Sequence, residues 1–527
     1  MAQEISPQKL QDLLGGSARF ALIDVREPGE YNSTHIPWSS VIPRRLLEFQ
    51  MAESVPYKGV PVVLCDDDGR RAALAAKTLE AMGYAKVSVL SGGINWWVSQ
   101  NQPTEWGSNV PSKEFGEQQE VVHGVPEIEA TELHQWQEEG KKLVILDTRT
   151  PEEYQRFCIP GGRSVPGGEL ALHITDITKE LDPGTTVVIN CAGRTRSIIG
   201  TRILQRMGWD NVVGLKNGTS GWVLAGYQLE NGADRIQLPQ VSQEGLAAAE
   251  AYATRLAGED GVRYLDVEAL QELMARRSKE TVYLVDVRTQ DQFQAGHIPG
   301  FRWFPGGQVV QRSDDVAVVK NATIVFTCDK MARGTLVASF YRQLGFKEVY
   351  AVSGGTGAWQ AAGLDLEKGV AELPVSGLDQ ARSQARMVSP QELKDATNTT
   401  TIFVDTSQAF SRGHVPGARW VPRSFLELQI DRFAPSKSTP VAVTCADGNL
   451  SLLTSQTLKE IGYQDVSVLD GGMAAWRKAG LDMEEGLSGV TGPPTDMVLS
   501  GPDRNYADMM NYLRWETALG EKYETAN

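Results

Sequence analysis

The sequence predicts an α/β protein of four tandem domains, each built on a parallel sheet that is flanked by helices on both faces. The chain has 527 residues, which is too long for a single hydrophobic core. An ordered set of motifs occurs four times along it, and such internal repeats indicate repeated structural units. Within each repeat, short runs rich in Val and Ile alternate with amphipathic segments, a pattern typical of a buried parallel sheet covered by helices.

Each repeat contains an apolar strand that ends in Asp, an Ile/Val-Pro turn, a second apolar strand, a polar loop, a helix, and a glycine turn before a Trp. The second repeat shows this order in VILDTRTPEEYQRFCIPG, TVVINCAGRTRS and GLKNGTSGW. The residues that open and close the repeats are Asp24 and Trp97, Asp147 and Trp222, Asp286 and Trp359, and Asp405 and Trp476. Each interval is 71 to 75 residues, so we expect four copies of one fold, with the tryptophans buried against the sheets.

Gly, Pro and polar residues gather between the repeats and indicate the domain boundaries. The expected domains are 1–115, 116–235, 245–370 and 380–487, followed by a C-terminal tail at 488–527. The linker segment QEGLAAAEAYATRL (243–256) has a helical composition, and the tail contains the helix candidate NYADMMNYLRWETALGEKY. We expect both to pack domain against domain; a solvated linker and tail are the alternative.

The composition disfavours several classes of partner and site. Acidic residues outnumber Lys and Arg by 66 to 51, and the net charge of −15 argues against nucleic acid and anionic membrane as partners. No apolar run approaches the roughly 18 residues of a membrane helix. The start, MAQEISPQKL, lacks the features of a secretion signal, so we expect a cytoplasmic protein. The five cysteines lie far apart without a CxxC pair, which argues against a zinc site or a disulfide framework.

Cys191 in the second repeat has the surroundings that a reactive thiol needs. A free cysteine has a pKa of about 8.5 and is mostly protonated at neutral pH. The loop Cys191–Ser197 joins a strand to a helix, where backbone amides and the positive helix end stabilise an anion. We expect Gly193 to permit a sharp turn there, and Arg194 and Arg196 to bind an anionic substrate through forked hydrogen bonds.

The third and fourth repeats depart from this loop. The third has Arg333 at the position that matches Arg196, but Asp329 follows its cysteine directly; Cys328 and Arg333 are therefore a possible second site. The fourth has Cys445 with a carboxylate and no cation in the loop, a combination that raises a thiol pKa and repels anions.

The first repeat has a different register. Cys65 lies 32 residues before its tryptophan, whereas the other three loop cysteines lie 31 residues before theirs. Counting back from the glycine turn places Asp66 at the nucleophile position, so we expect an inactive domain. A longer phosphate-binding loop from Cys65 to Arg71 is the alternative, although its three consecutive aspartates would repel a phosphate dianion.

The order DVR, EY, GHIPG, strand–Cys–loop–helix and SGG before Trp resembles the rhodanese (sulfurtransferase) superfamily, and four copies resemble its quadruple-domain bacterial type. The resemblance implies sulfur transfer through a persulfide on Cys191, with no metal or organic cofactor. It implies that Arg194 and Arg196 bind the donor. It also implies that the loop amides stabilise the sulfur anion, those of Ala192, Gly193, Thr195 and Ser197 included.

The resemblance further implies a small anionic sulfur donor and a thiol, cyanide or protein acceptor. Thiosulfate is favoured over 3-mercaptopyruvate because the loop is charged. A sulfur carrier or scaffold, in which the other domains are binding modules, is the alternative class of function. Family members use the Asp-x-Arg and His-Ile-Pro segments as fold elements, which implies structural roles for His35, His297 and His414. Cys158 fills that histidine position in the second repeat, as a small buried residue or a resolving thiol for Cys191.

Overall fold

The computed structural model of the protein describes residues 3–179, 181–490 and 492–524. Five parallel strands form one sheet in each of four domains, with helices packed on the sheets, which confirms the predicted α/β fold of tandem domains. Within the described part of the chain, no helix combines the length and the apolar character that a membrane span requires.

The first domain has strands at Gln3–Ile5, Phe20–Asp24, Ser40–Val41, Val62–Cys65 and Val87–Leu90. Its helices are Pro7–Gly15, Pro28–Ser33, Arg44–Leu46, Leu47–Ser54, Arg70–Ala81 and Gly93–Ser99. The second domain has strands at Glu127–Ile128, Leu143–Asp147, Arg163–Ser164, Thr186–Asn190 and Val212–Leu215. Its helices are Val110–His123, Ala130–Glu138, Pro151–Arg156, Leu170–Lys179, Thr195–Met207 and Gly218–Leu224.

The third domain has strands at Arg263–Leu265, Val282–Asp286, Arg302–Trp303, Val319–Lys320, Thr323–Thr327 and Val349–Val352. Its helices are Gln243–Asp260, Val267–Ala275, Arg276–Ser278, Gln290–Ala295, Gly306–Gln311, Ser313–Val316, Ala332–Gln343 and Gly355–Ala361. The fourth domain has strands at Arg386–Val388, Thr400–Phe403, Arg419–Trp420, Val441–Thr444 and Val466–Leu469. Its helices are Leu378–Gln384, Pro390–Asp395, Ser407–Ser411, Arg423–Phe425, Leu426–Gln429, Ile430–Arg432, Asn449–Glu460 and Gly472–Lys478, and the tail adds Gly501–Asp503, Tyr506–Ala518 and Glu521–Glu524.

The central strands are mostly apolar because both faces of each sheet are covered. In the fourth domain, Val441 and Val443 pack in one buried cluster with Leu458 of a covering helix. Ala442 lies in the cluster on the opposite face, together with Trp476 of the last helix. Since successive side chains of a strand point to opposite faces, a strand covered on both sides has no polar face.

The sheet order places the candidate loop at the centre of the second domain. Across that sheet the strands run in the order Glu127–Ile128, Val212–Leu215, Thr186–Asn190, Leu143–Asp147 and Arg163–Ser164. The middle strand, Thr186–Asn190, has a parallel neighbour on each side, and the loop leaves its carboxyl end. Ligands of parallel sheets bind at this edge, outside the carboxyl ends of the strands.

Hydrogen bonding corrects the alignment of the fourth repeat. The amides of Val404 and Thr148 make equivalent bonds, each to the last residue of the neighbouring middle strand, at 3.0 and 2.9 Å. Asp405 therefore occupies the position of Arg149. The sequence alignment had placed it at the position of the opening aspartate, which was wrong. Phe403 takes the aspartate position and is fully buried, so this domain replaces the buried Asp–Arg ion pair with an apolar side chain.

The chain divides into two compact units. The first contains the first and fourth domains, at Met1–Ser108 and Glu372–Val498. Within it, the two domains exchange ion pairs: Arg44 binds Glu427, and Arg423 binds Glu48 with both guanidinium nitrogens, at 2.6 and 2.8 Å. The second unit contains the second and third domains and the end of the chain, at Asn109–Ala371 and Leu499–Asn527.

Two helices join the elements of the second unit. The predicted linker helix forms at Gln243–Asp260 and packs on Leu170–Lys179 of the second domain and Ala332–Gln343 of the third. A helix not foreseen, Val110–His123, packs on Thr195–Met207, which directly follows the candidate loop. The boundary expected at 115 falls inside this helix; the helix belongs to the second unit because its buried residues contact that unit.

Gly218 provides a test of how tightly this scaffold is built. Its φ is +51°, and a Cβ there would lie 2.1 Å from the carbonyl oxygen of Cys191. We expect Gly218→Ala to lower the melting temperature of the protein clearly more than Gly226→Ala. Gly226 shares a positive φ of +88° but has open space around it, so its substitution costs only the backbone strain of about 1 kcal/mol. Calorimetric melting of the two variants measures the difference, and equal shifts would contradict the steric interpretation.

Candidate functional site

Cys191 lies at the start of the loop Cys191–Ser197, which we call the cradle. The thiol donates a hydrogen bond to the Ser197 hydroxyl at 3.5 Å, and that hydroxyl donates to the carbonyl of Arg194 at 2.8 Å. The Cys191 carbonyl is held by the amide of Thr219 at 2.9 Å. These bonds fix both the backbone and the side chain of the cysteine, which is only 2% exposed.

The neighbours of Cys191 favour its thiolate. Burial raises the pKa of the Cys191 thiol above its ordinary value. The charge of Arg196, the hydroxyl and amide of Ser197 and the amide of Gly193 all lower that pKa. The cradle groups thus stabilise the Cys191 thiolate, whereas burial destabilises it.

Arg196 is the neighbour that lowers the Cys191 pKa most. Its guanidinium forms a bidentate pair with Glu153, at 2.8 and 2.9 Å. Burial opposes the ionisation of Glu153, but the hydrogen bond and charge of Arg196 outweigh it and lower the Glu153 pKa to about 2. The pair therefore stays charged at neutral pH and holds the guanidinium in a fixed position beside the thiol.

Arg194 makes ion pairs that the sequence did not suggest. Its guanidinium is buried and binds three carboxylates, at 2.7 Å to Glu117, 3.1 Å to Glu120 and 3.3 Å to Glu127. Burial raises the pKa of Glu117 to about 7 even against the pull of Arg194. Because buried carboxylates need a cation, Arg194 helps to pack helix Val110–His123 on the cradle. Its binding of a substrate stays a prediction.

The remaining cradle residues surround the cysteine with backbone and small side chains. The Ala192 carbonyl accepts from the Ser220 hydroxyl at 2.8 Å, which ties the cradle to the glycine turn. The Thr195 hydroxyl donates to Glu516 of the C-terminal tail at 2.7 Å. Sequence reasoning gave no indication of this tail contact, because the tail is separated from the cradle by 321 residues in the chain.

The third domain holds its cysteine in a less favourable environment. Burial raises the pKa of Cys328 to about 11, and Asp329 adds to the increase while Arg333 opposes it. Arg333 is nevertheless committed elsewhere, at 2.9 Å from both Glu169 of the second domain and Asp329. The possible second site therefore has its cation paired with two carboxylates, one of which, Asp329, directly follows the cysteine and raises its pKa.

The fourth domain combines a well-formed amide cradle with the wrong charge. The amides of Gly448 and Ser451 point at the sulfur of Cys445, at 3.1 and 3.4 Å. The Cys445 pKa is raised to about 11, mainly by burial; the hydrogen bonds of Ser451 oppose this increase, and the carboxylates of Asp405 and Asp447 contribute to it. The corrected alignment explains the effect of Asp405 on this pKa, because Asp405 stands where the other three domains have an arginine.

In the first domain an aspartate occupies the cradle. The carbonyl of Asp66 accepts from the amide of Ile94 at 2.8 Å, the bond that Cys191 makes with Thr219. Its carboxylate accepts from the amides of Gly69 and Arg71, at 2.5 and 2.7 Å. Cys65 precedes it as the last strand residue, and burial raises the pKa of Cys65 well above its ordinary value.

The residues at the turn after the first long strand have structural contacts. His35, His297 and His414 each stack on an aromatic ring one helical turn earlier, and each ring nitrogen Nδ1 lies 2.9–3.0 Å from that residue's carbonyl. Cys158 occupies the same position and is fully buried, with its amide bonded to the Glu230 carbonyl at 2.8 Å. Among residues 3–179, 181–490 and 492–524, no cluster of His, Cys, Asp and Glu is arranged to hold a metal ion.

Fold and site together define a class of proteins: α/β domains that present a cysteine in an amide cradle at the carboxyl end of a central parallel strand. The family model of the rhodanese-like domain matches the chain four times, at residues 6–100, 129–225, 268–362 and 389–479. The protein belongs to the rhodanese-like domain family, as its motifs indicated.

Solved and curated relatives agree with this assignment. The crystal structure of a thiosulfate sulfurtransferase from Pseudomonas aeruginosa is 34% identical, covers 99% of this chain and 98% of its own, and superposes with a TM-score of 0.89. Thiosulfate sulfurtransferase GlpE of Ectopseudomonas mendocina is 30% identical over 97 residues, which are 18% of this chain and 87% of that protein. The probable adenylyltransferase/sulfurtransferase MoeZ of Mycobacterium tuberculosis is 34% identical over 100 residues, but the chain spans only 25% of its length.

The charge of Arg196 can be tested on the thiol directly. We expect Arg196→Gln to raise the pKa of Cys191, because the variant removes the largest influence that opposes burial. Ultraviolet titration of the thiolate, taken as the difference from Cys191→Ser, measures the pKa. Arg202→Gln on the same helix is the control, since Arg202 is not among the groups with the largest influence on the Cys191 pKa. An unchanged Cys191 pKa in Arg196→Gln would contradict the electrostatic role.

Proposed function

We propose that the protein is a sulfurtransferase whose nucleophile is Cys191 in the second domain. One observation carries the proposal: among the four cradles, that of Cys191 holds a thiol whose strongest neighbouring influences all favour the anion. The third and fourth domains place carboxylates beside their thiols, and the first domain has no thiol at the position. The family assignment supports sulfur transfer as the chemistry of such a thiol.

The proposed reaction proceeds in two half-reactions on the same sulfur. The Cys191 thiolate attacks the outer sulfur of thiosulfate, forming a new S–S bond, and sulfite leaves with the electron pair of the old one. The terminal sulfur of the resulting persulfide is then attacked by an acceptor such as cyanide or a thiolate. Thiocyanate or an acceptor persulfide leaves, and the Cys191 thiolate is regenerated. No oxidant, metal or organic cofactor is needed for this balance.

The cradle stabilises the sulfur anions that the two half-reactions create. The amides of Gly193 and Ser197 support the thiolate and, one atom further out, the persulfide. The Ser197 hydroxyl adds to this when it turns its hydrogen from the Arg194 carbonyl to the sulfur. Arg196 adds a fixed positive charge, which favours approach of an anionic donor. We propose thiosulfate as the donor for this reason, in keeping with the names of two relatives, and 3-mercaptopyruvate as the donor to compare with it. The five cysteines of the chain are free, which fits a reducing compartment such as the cytoplasm.

A sulfur carrier or scaffold is the second candidate function, and the degenerate cradles favour it. Three of four domains lack a thiol whose neighbours all favour its anion, yet all four keep the fold. Such domains contribute surface for a protein acceptor. A carrier loads one sulfur on Cys191 and discharges slowly to cyanide, whereas an enzyme turns over repeatedly. Counting thiocyanate formed per protein distinguishes the two functions.

Replacement of the nucleophile tests the central assignment. We expect Cys191→Ser to lower thiocyanate formation from thiosulfate and cyanide by at least about a thousandfold, because a hydroxyl cannot form the persulfide. Cys328→Ser is the matched control and should keep nearly the parental rate. Mass spectrometry after thiosulfate treatment should place an added sulfur on the Cys191 peptide. Full activity of Cys191→Ser, or loss of activity in Cys328→Ser alone, would overturn the assignment.

The pH dependence follows from the same thiol. Because burial raises the pKa of Cys191, the reactive thiolate is the minor form at neutral pH. We expect kcat/KM for thiosulfate to rise with pH until the Cys191 pKa is passed, and the rise to move to higher pH in Arg196→Gln. A rate that falls across the neutral to mildly alkaline range would contradict a thiolate nucleophile.

A further inference from the structure

The C-terminal segment of the chain covers the Cys191 cradle. A Cβ on Gly193 would meet Tyr512, Leu513 and Glu516, all from the helix Tyr506–Ala518. Upstream of that helix, a Cβ on Gly501 would lie 3.9 Å from that of Ala192. The cysteine is therefore almost inaccessible to solvent. Its loop nevertheless lies at the carboxyl ends of the parallel strands, where such sheets bind their ligands.

Glu516 contributes a charge to this cover. Its side chain is only 2% exposed, and Oε1 accepts the hydrogen bond from Thr195 in the cradle. Its other oxygen, Oε2, is buried without a hydrogen-bond partner among the described residues and would lie 3.3 Å from a Cβ on Gly193. A buried carboxylate oxygen without a partner is costly, so its retention at the mouth of the cradle calls for an explanation.

The first domain shows how a carboxylate fits such a cradle. There the two carboxylate oxygens of Asp66 accept hydrogen bonds from loop amides, one from Gly69 and the other from Arg71. In the second domain the nucleophile position holds a thiol instead, and a carboxylate from the tail stands at the entrance. In both domains an internal carboxylate occupies space that an anion from solution would use.

The cations around Glu516 do not neutralise it by a hydrogen bond to Oε2. The buried Lys113 ammonium lies over the rings of Tyr512 and Trp515, at 5.0 and 5.2 Å from their centroids. Arg504 stacks on Tyr512, with its guanidinium carbon 3.8 Å from the ring centroid. These cations lie near the segment and make its closed position tolerable for a carboxylate, but they leave the Oε2 atom free to repel an incoming anion.

We propose that Glu516 is a specificity-determining residue, whose carboxylate occupies the donor's oxyanion position at the cradle and must be displaced before an anionic donor can react. The inference rests on the proposed function, because it concerns access to the Cys191 nucleophile. It goes beyond that function because it assigns a role to the C-terminal tail. The tail blocks neutral reagents only sterically, whereas it blocks anions sterically and also repels them through the Glu516 carboxylate.

The contacts that hold the segment are suited to reversible displacement. Asp503 pairs with the exposed Arg156, and Tyr523 donates to Glu114 at 2.6 Å. Ion pairs and hydrogen bonds near the surface contribute little each, since water competes for the same groups. The apolar anchor is small, with Met509 and Leu513 as the buried apolar side chains of the helix.

A pair of reagents that differ in charge tests the proposal. Iodoacetate and iodoacetamide alkylate the same thiol and have nearly the same size, but only iodoacetate is an anion. We expect Glu516→Gln, which keeps the size and an acceptor for Thr195, to raise the iodoacetate-to-iodoacetamide rate ratio at Cys191 by about tenfold. The kcat/KM for thiosulfate should rise in the same variant. Peptide mass spectrometry measures the alkylation of Cys191 in the full chain.

Glu521→Gln is the matched control, because Glu521 is an exposed carboxylate of the same segment. It should leave the ratio at the parental value. Glu516→Ala provides a second variant if the glutamine variant is poorly folded, and melting curves check both. A rate ratio that is unchanged in both Glu516→Gln and Glu516→Ala would overturn the proposal. Alkylation rates that rise equally for both reagents would also overturn it, because they would indicate only that the tail no longer covers the cysteine. Alkylation does not require sulfur transfer, so failure of the proposed function would appear separately, in Cys191→Ser.

Discussion

The contact between a glycine and a backbone carbonyl determines the geometry of every cradle in this protein. A Cβ on that glycine would lie within about 2.5 Å of the carbonyl oxygen at the nucleophile position in all four domains, at Gly93, Gly218, Gly355 and Gly472. The amide of the next residue then binds the same carbonyl, at 2.8–2.9 Å. Because only glycine fits, the loop between the middle strand and its helix is held in one shape, whatever residue stands at its start.

Since the backbone is shared, charge distinguishes the domains. The cradle of the second domain holds a thiol beside Arg196, and that of the third domain holds a thiol beside Asp329. The cradle of the fourth domain holds a thiol near two carboxylates, and that of the first domain holds an aspartate. The arrangement in the second domain favours a sulfur anion, and that in the third combines the favourable charge of Arg333 with the opposing charge of Asp329. The arrangement in the fourth adds two opposing carboxylates, and that in the first replaces the thiol. Fold alone therefore does not assign activity within this chain, and the proposed division of labour among the domains depends on a few charged side chains.

Pairing of domains uses charges that an isolated catalytic domain would leave free. In the first unit, Arg44 and Arg423 bind glutamates of the neighbouring domain in a reciprocal arrangement. In the second unit, Arg333 binds Glu169 across the junction of the second and third domains. The arginine that matches the proposed donor-binding Arg196 is thus used for assembly in the third domain. A tandem repeat can therefore keep the arginine and use it to hold two domains together.

The sequence by itself determined the repeat number, the α/β class and the cysteine with favourable loop residues, because each depends on local pattern and spacing. It misaligned the fourth repeat, since an Asp two positions away satisfies the same motif, and only the strand hydrogen bonds placed Asp405 correctly. It could not show that carboxylates of helix Val110–His123 bind Arg194, because that helix was not predicted. It gave no sign of Glu516 at the cradle, because that contact joins residues 321 positions apart and forms only when the chain end packs on the second domain.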